Sequence, residues 1–249
     1  MASMETYRKF LKSDLWGEWA KLETDQKRHV SPPPPQKSYS QDATLIDLVS
    51  PEDLTVGKMP LIEAINRRKS RRKFTQESLT LEELAFLLWA TQGMREFMHE
   101  GAVTRRTVPS GGSRHPFETY LVVNRVEGLE PGLYRYLPVE HKLCFLYTDP
   151  GLVARVNDGC RGQNFVGSSA VVFVWTVIPY RTEWRYSIIA HKIIAMDAGH
   201  LCQNLYLASE AIGGGTCAIG AYDQAKMDAI VGVDGEKEFV VYVAPVGKI

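Results

Sequence analysis

The chain has no excess of either charge: 29 basic and 29 acidic residues cancel over 249 positions. No global field therefore draws it to nucleic acid or to an anionic membrane. A nucleic-acid partner would need a broad basic face, which the sequence does not supply. Cysteine is scarce and scattered. Cys144, Cys160, Cys202 and Cys217 form no C-x-x-C pair, which argues against a zinc framework or disulfide scaffold and for reduced thiols. Long apolar runs are missing as well. The longest, Ser169 to Ile178, is strand-sized, well short of the roughly 20 residues that cross a bilayer. The opening Met1-Ala2-Ser3-Met4-Glu5-Thr6-Tyr7 lacks the apolar core of a leader. A cytoplasmic protein with no membrane and no nucleic-acid partner is expected.

The common catalytic signatures are absent too. There is no G-x-S-x-G elbow, no H-E-x-x-H and no Walker A motif; Gly247-Lys248 sits at the C-terminus with no Ser or Thr after it. Asp197 and His200 stand i, i+3 with His191 two turns upstream. One such pair is a weak metal signal, so no metal is expected. Gly213-Gly214-Gly215-Thr216-Cys217-Ala218 fits G-x-G-x-x-A, but it follows a helical stretch instead of a strand. That context excludes a dinucleotide fingerprint.

What the chain does have is local. In Arg67-Arg68-Lys69-Ser70-Arg71-Arg72-Lys73-Phe74, six of eight residues are cationic. The run follows a short helical pattern, Leu61 to Ile65. Cations with a hydroxyl among them can hold a phosphate through charge-assisted hydrogen bonds; the plainer reading is a solvated basic face at a helix end. A second segment, Pro109-Ser110-Gly111-Gly112-Ser113-Arg114-His115-Pro116, sets two glycines between prolines. Such a loop lets backbone approach something flat or anionic, or is simply a tight turn.

Residues 1–60 read as an arm: Phe10, Leu11, Leu15, Trp16 and Trp19 at helical spacing, then the extended Ser31-Pro32-Pro33-Pro34-Pro35. Residues 61–249 read as the main domain. Thr80-Leu81-Glu82-Glu83 is a capping box. Strands are expected at 118–124, 133–137, 142–147, 169–177 and 238–246, with one long apolar helix over 186–212, placed at a core or an interface. Without regular βαβ alternation the class is α+β.

Three stretches together resemble the nitroreductase-like flavoprotein superfamily, nearest its SagB-type dehydrogenase branch. Arg68-Lys69-Ser70-Arg71-Arg72-Lys73-Phe74 resembles the family's R-R-S-x-R-x-F opening, with Lys69 where many members carry Arg. The 109–116 segment resembles its P-S-x-G-x-x-x-P loop. Ala198-Gly199-His200-Leu201-Cys202-Gln203-Asn204-Leu205 resembles its A-G-x-x-x-Q-N-L helix. The resemblance implies a mostly antiparallel central sheet flanked by helices and a homodimer with FMN at the interface. It also implies an enzyme passing hydride from NADH or NADPH through the flavin to a small nitro- or quinone-type acceptor. Two alternatives stand beside it: an FMN-dependent dehydrogenase oxidising an azoline-like substrate with oxygen as acceptor, and a non-catalytic flavin-binding protein.

Carried over by residue, the resemblance puts Arg68, Lys69, Ser70, Arg72 and Lys248 on the phosphate and ribityl chain. Pro109, Ser110, Gly111 and Gly112 would line the ring. Gly215, Ile219, Gly220 and Ala221 would approach its N5 edge. At Gly220 some nitroreductases have an acidic residue. No general acid stands out; His115, Arg185 and Tyr186 are the candidate substrate-side groups.

Overall fold

The computed structural model describes residues 3–98 and 103–249 of the chain; Met1 and Ala2, the start of the segment compared with a leader, lie outside them. Seven strands form one sheet. In chain order they are β1 (Leu45–Asp47), β4 (Phe117–Val123), β5 (Gly132–Leu137), β6 (Lys142–Tyr147), β7 (Val171–Val177), β8 (Gly214–Thr216) and β9 (Phe239–Lys248). Their spatial order is β1-β6-β5-β4-β7-β9-β8, and every pairing is antiparallel. A separate hairpin joins β2 (Met94–Met98) to β3 (Val103–Arg106). Among the described residues the α-helices are α1 (Met4–Leu11), α2 (Leu61–Arg67), α3 (Leu81–Gln92), α4 (Leu152–Gly159), α5 (Tyr180–Tyr186), α6 (Ala190–Ala211) and α7 (Gln224–Val231). The class is α+β, with a central antiparallel sheet flanked by helices.

Period-two alternation divides the sheet's side chains between two cores. Phe173 and Trp175 of β7, with Leu121 and Val123 of β4, pack with Leu84, Leu87 and Leu88 of α3 and Leu201 and Leu205 of α6. Val172, Val174, Tyr120 and Val122 face Leu152 and Val156 of α4 and Met227 and Ile230 of α7. With both faces covered, β7 is buried along its length. Its unbroken apolar sequence reflects that.

The capping box forms as expected: Thr80 Oγ1 accepts from Glu83 N, and Glu83 Oε2 accepts from Thr80 N. The long helix differs from expectation. The chain breaks at Ser187, whose φ is 48° and ψ −132°, so α5 ends at Tyr186 and α6 starts at Ala190 after one 3-10 turn. Apolar periodicity continues across the break, so the sequence pattern conceals it.

Within residues 1–60, Leu45–Asp47 joins the main sheet as its edge strand. Residues 35–38 are also tied to the body by buried charges. Arg106 donates to the Pro35 carbonyl, Arg135 to those of Lys37 and Ser38, and Glu118 accepts from Lys37 N. Further upstream, Trp16 and Trp19 pack on Tyr186, with ring centroids 6.0 and 5.5 Å away.

Candidate functional site

The basic run leaves α2 in extended conformation and lies along β8. Ser70 bridges Thr216, and Arg71 N donates to Thr216 O at 2.9 Å. Extended backbone turns alternate side chains to opposite sides. Arg71 faces inward to Glu210 of α6, a carboxylate only 1% exposed, at 3.3 Å. Arg67 bonds Glu63 at 3.0 Å and lies 4.0 Å from Glu210. Arg68, Lys69, Arg72 and Lys73 have no carboxylate within 4.0 Å among the described residues. The Arg68 guanidinium stands 5.5 Å over the Tyr206 ring, and that of Arg72 5.9 Å over Phe165. Lys69, Ser70, Arg72 and Lys73 border a cavity of about 410 Å³. Gly215 lets the run approach: a Cβ there would lie 2.3 Å from Arg71 Cγ.

One hydroxyl connects this charge to the segment after β8. Ser70 Oγ is 3.1 Å from the Tyr206 hydroxyl, which accepts from Ala218 N at 2.9 Å. Ile219 exchanges two backbone bonds with Val243 of β9. Gly220 then stands exposed, and a Cβ on it would meet nothing within 4 Å. It borders a second cavity, of about 480 Å³, walled by Val177, Ile194, Ala198, Phe239, Val241 and Tyr242, with His191 at its margin. Burial, and then the neighbouring Cys202, push the Tyr242 phenol up to about 12, so it stays protonated across the physiological range. Ala221 offers its carbonyl to Gln163 at 3.2 Å.

The 109–116 loop sits on the first half of α6. Asp197 accepts from Ser110 Oγ at 2.6 Å and from Gly111 N at 3.2 Å. Burial raises the Asp197 carboxyl, against the pull of those two donors. Gly112 has φ 59°, and a Cβ there would lie 2.6 Å from the Tyr186 hydroxyl, so both backbone and space require glycine. Arg185 lies over the Tyr186 ring at 5.4 Å. Pro109 is exposed and Gly112 half-buried.

The structure therefore gathers Arg68, Lys69, Ser70, Arg72 and Gly215 in one place and sets Ile219, Gly220 and Ala221 beside it. It groups Ser110, Gly111 and Gly112 with Arg185 and Tyr186. Two expected residues are engaged elsewhere. Lys248 bonds Glu83 and the Ile212 carbonyl. His115 is 4% exposed with Nε2 3.1 Å from Thr104 O, and burial with nearby Arg106 pushes it down to about 3. It is a neutral core histidine. Nor do the three polar residues weighed as a metal set converge: His191 bonds Glu183 at 2.9 Å, Asp197 bonds the loop, and His200 lies 3.7 Å from Asp197. Sequence reasoning missed Tyr206 and Glu210. Their only signal was polarity within an apolar helix.

The fold, an antiparallel sheet between helical layers, has counterparts among solved structures. The Nitroreductase family profile matches residues 65–248. The chain belongs to that family of oxidoreductases. The Methanocaldococcus jannaschii protein MJ1384, named for nitroreductases, is 28% identical over 193 residues, 78% of this chain and 93% of its own. A nitroreductase-type structure from Anabaena variabilis superposes with a TM-score of 0.73 at 23% identity. It covers 97% of this chain, which in turn spans 45% of that one. The Escherichia coli microcin synthetase McbBCD complex, solved with truncated pro-MccB17, matches with a TM-score of 0.61 at 17% identity, over 100% of this chain and 94% of its own.

Proposed function

We propose that the chain is an FMN-dependent oxidoreductase that takes electrons from NADH or NADPH and delivers them to a small nitro- or quinone-type acceptor in ping-pong fashion. The family it belongs to comprises FMN oxidoreductases. The observation that carries the reading is the sorting of the basic run. Two of its arginines are neutralised by Glu63 and Glu210, while Arg68, Lys69, Arg72 and Lys73 are left for an outside anion. A phosphate monoester carries close to two negative charges, and guanidinium forks match its oxygens. The residues fit FMN: cations and the Ser70 hydroxyl for the phosphate, and the open Gly220 corner for the edge of a flat ring.

Bound there, FMN supplies hydride transfer between nicotinamide and acceptor. The protein's part is position and electrostatics. Glu210 holds Arg71, and through its backbone the basic run, against β8. The Tyr206 hydroxyl fixes Ser70 and Ala218 relative to each other. Asp197 holds the 110–111 backbone. The apolar walls exclude water. Gly220 leaves the ring edge to main chain or substrate. A homodimer belongs to this reading, supported by Leu61, Ile62 and Ile65 of α2, which are 64%, 73% and 54% exposed on one element. Of the 1–60 segment read as an arm, Leu45–Asp47 belongs to the main sheet; the described residues upstream of it act as the arm.

Calorimetric titration of flavin-free protein with FMN and with riboflavin tests the reading. FMN binds at least 100-fold more tightly if the cations hold the phosphate, since each charge-assisted bond contributes about 1.5–3 kcal/mol. Arg68→Ala removes most of that difference and leaves riboflavin unchanged. Equal affinity for the two flavins contradicts the assignment.

A further inference from the structure

The pocket beside Gly220 has two titratable groups at its wall, Tyr242 and His191. Tyr242 is held protonated by burial. His191, in the first turn of α6, meets Glu183 Oε1 of α5 through Nε2 at 2.9 Å. A carboxylate on one ring nitrogen fixes the imidazole's orientation and leaves the other nitrogen for a different partner. His191 also borders a separate hollow of about 290 Å³, lined by Glu23, Thr24, Asp25, Tyr180, Glu183 and Ser187. The two spaces differ in kind: aliphatic and aromatic walls on one side, carboxylates and hydroxyls on the other. The imidazole stands between them.

The charged groups around it are accounted for. Asp25 accepts from Tyr180 at 2.7 Å and from Arg28 at 3.4 Å, Glu23 borders the hollow, and Lys192 is engaged by Leu11 O and Ser13 Oγ. Glu183 is the one carboxylate within hydrogen-bond reach of the ring among the described residues.

We propose that His191, oriented by Glu183, delivers the proton to a planar, weakly polar quinone-class substrate lying in the pocket beside Gly220. The proposal rests on the flavin reading above. Converting a quinone to its hydroquinone takes one hydride, two electrons with one hydrogen, and one proton. The reduced flavin is the hydride source. The proton passes from the His191 ring to the quinone oxygen that the hydride leaves anionic, and water in the polar hollow reprotonates the ring. The walls favour a flat, uncharged body because Val177, Ile194, Phe239 and Val241 offer it no charge and no side-chain donor.

The test uses the FMN-loaded protein, its His191→Ala and Glu183→Gln variants, and menadione as probe. Flavin content stays at the wild-type level in both variants, because neither residue lies in the cation cluster. Reoxidation of photoreduced protein by menadione, followed by stopped flow from pH 5 to 9, slows 100- to 10,000-fold in His191→Ala. Added imidazole restores part of the rate. Glu183→Gln changes the pH profile and leaves the menadione dissociation constant unaltered. In wild-type oxidised protein, the ring ¹⁵N resonances of His191 shift when menadione binds. Reoxidation of His191→Ala at the wild-type rate and with the wild-type pH profile would overturn the proposal, as would ring resonances that menadione does not move. In either case a flavin-loaded protein leaves the flavin reading standing. A wild-type protein that takes up no FMN would overturn both.

Discussion

Arg71 and Arg72 are adjacent, identical and differently employed. Arg71 neutralises Glu210, a carboxylate buried 139 residues further along the chain; Arg72 has no carboxylate partner among the described residues. Spacing alone could not separate them, because the acid that selects Arg71 comes from a distant helix. Breaking one partner from a buried pair leaves an uncompensated charge. Arg71→Ala therefore destabilises the fold by about 3 kcal/mol, read as a lower urea midpoint. His115 gives a pH signature. Unfolded, it takes a proton near 6.5; folded, not until about 3. Between those values the unfolded state binds more protons, so stability falls as pH drops from 6.5 toward 3. The contribution at stake is at most about 5 kcal/mol. His115→Gln can still donate to Thr104 O but does not titrate; urea midpoints between pH 6.5 and 4 should decline less steeply in the variant than in the wild type.

At the scale of elements, most of the molecule was legible. The five strands expected from apolar, β-branched runs are present, and Thr80 and Glu83 announce α3 because a capping box is a local device. Thr80→Ala removes the cap at a cost of about 1 kcal/mol; for a chain of this size the melting temperature falls by about 2–4 °C. What was not legible depends on tertiary partners. The 45–47 strand is only three residues long and half-buried, so it has no pattern of its own until β6 pairs with it. The break at Ser187 hides inside continuous apolar periodicity. It is stabilised by what it positions: Tyr186, against Gly112 on one side and the two arm tryptophans on the other. The candidate site shows the same division. The cations and glycines of the proposed site stand in the sequence itself, but which cations are paired depends on Glu210 of a distant helix. Lys248 could not be placed, because its partner Glu83 lies 165 residues away.

At the scale of the whole molecule, two surfaces stand exposed: the apolar outer face of α2 and the cation cluster that follows it. Both follow naturally if two copies enclose the flavin between them. Ile62→Asp places a charge on that face. Sedimentation of the FMN-loaded proteins is expected to show a dimer for the wild type and a monomer for the variant; a monomeric wild type or an unchanged dimer would contradict this interface. The fold, the uncompensated cations and the open Gly220 corner converge on one claim, that this chain binds FMN and turns it over. The visible absorption spectrum of the purified protein, recorded before and after anaerobic NADH or NADPH and again in air, tests that claim most directly. The account predicts flavin bands that bleach with a nicotinamide and return with oxygen. A colourless protein that also fails to take up added FMN would contradict it and leave Arg68, Lys69, Arg72 and Lys73 as a solvated basic face.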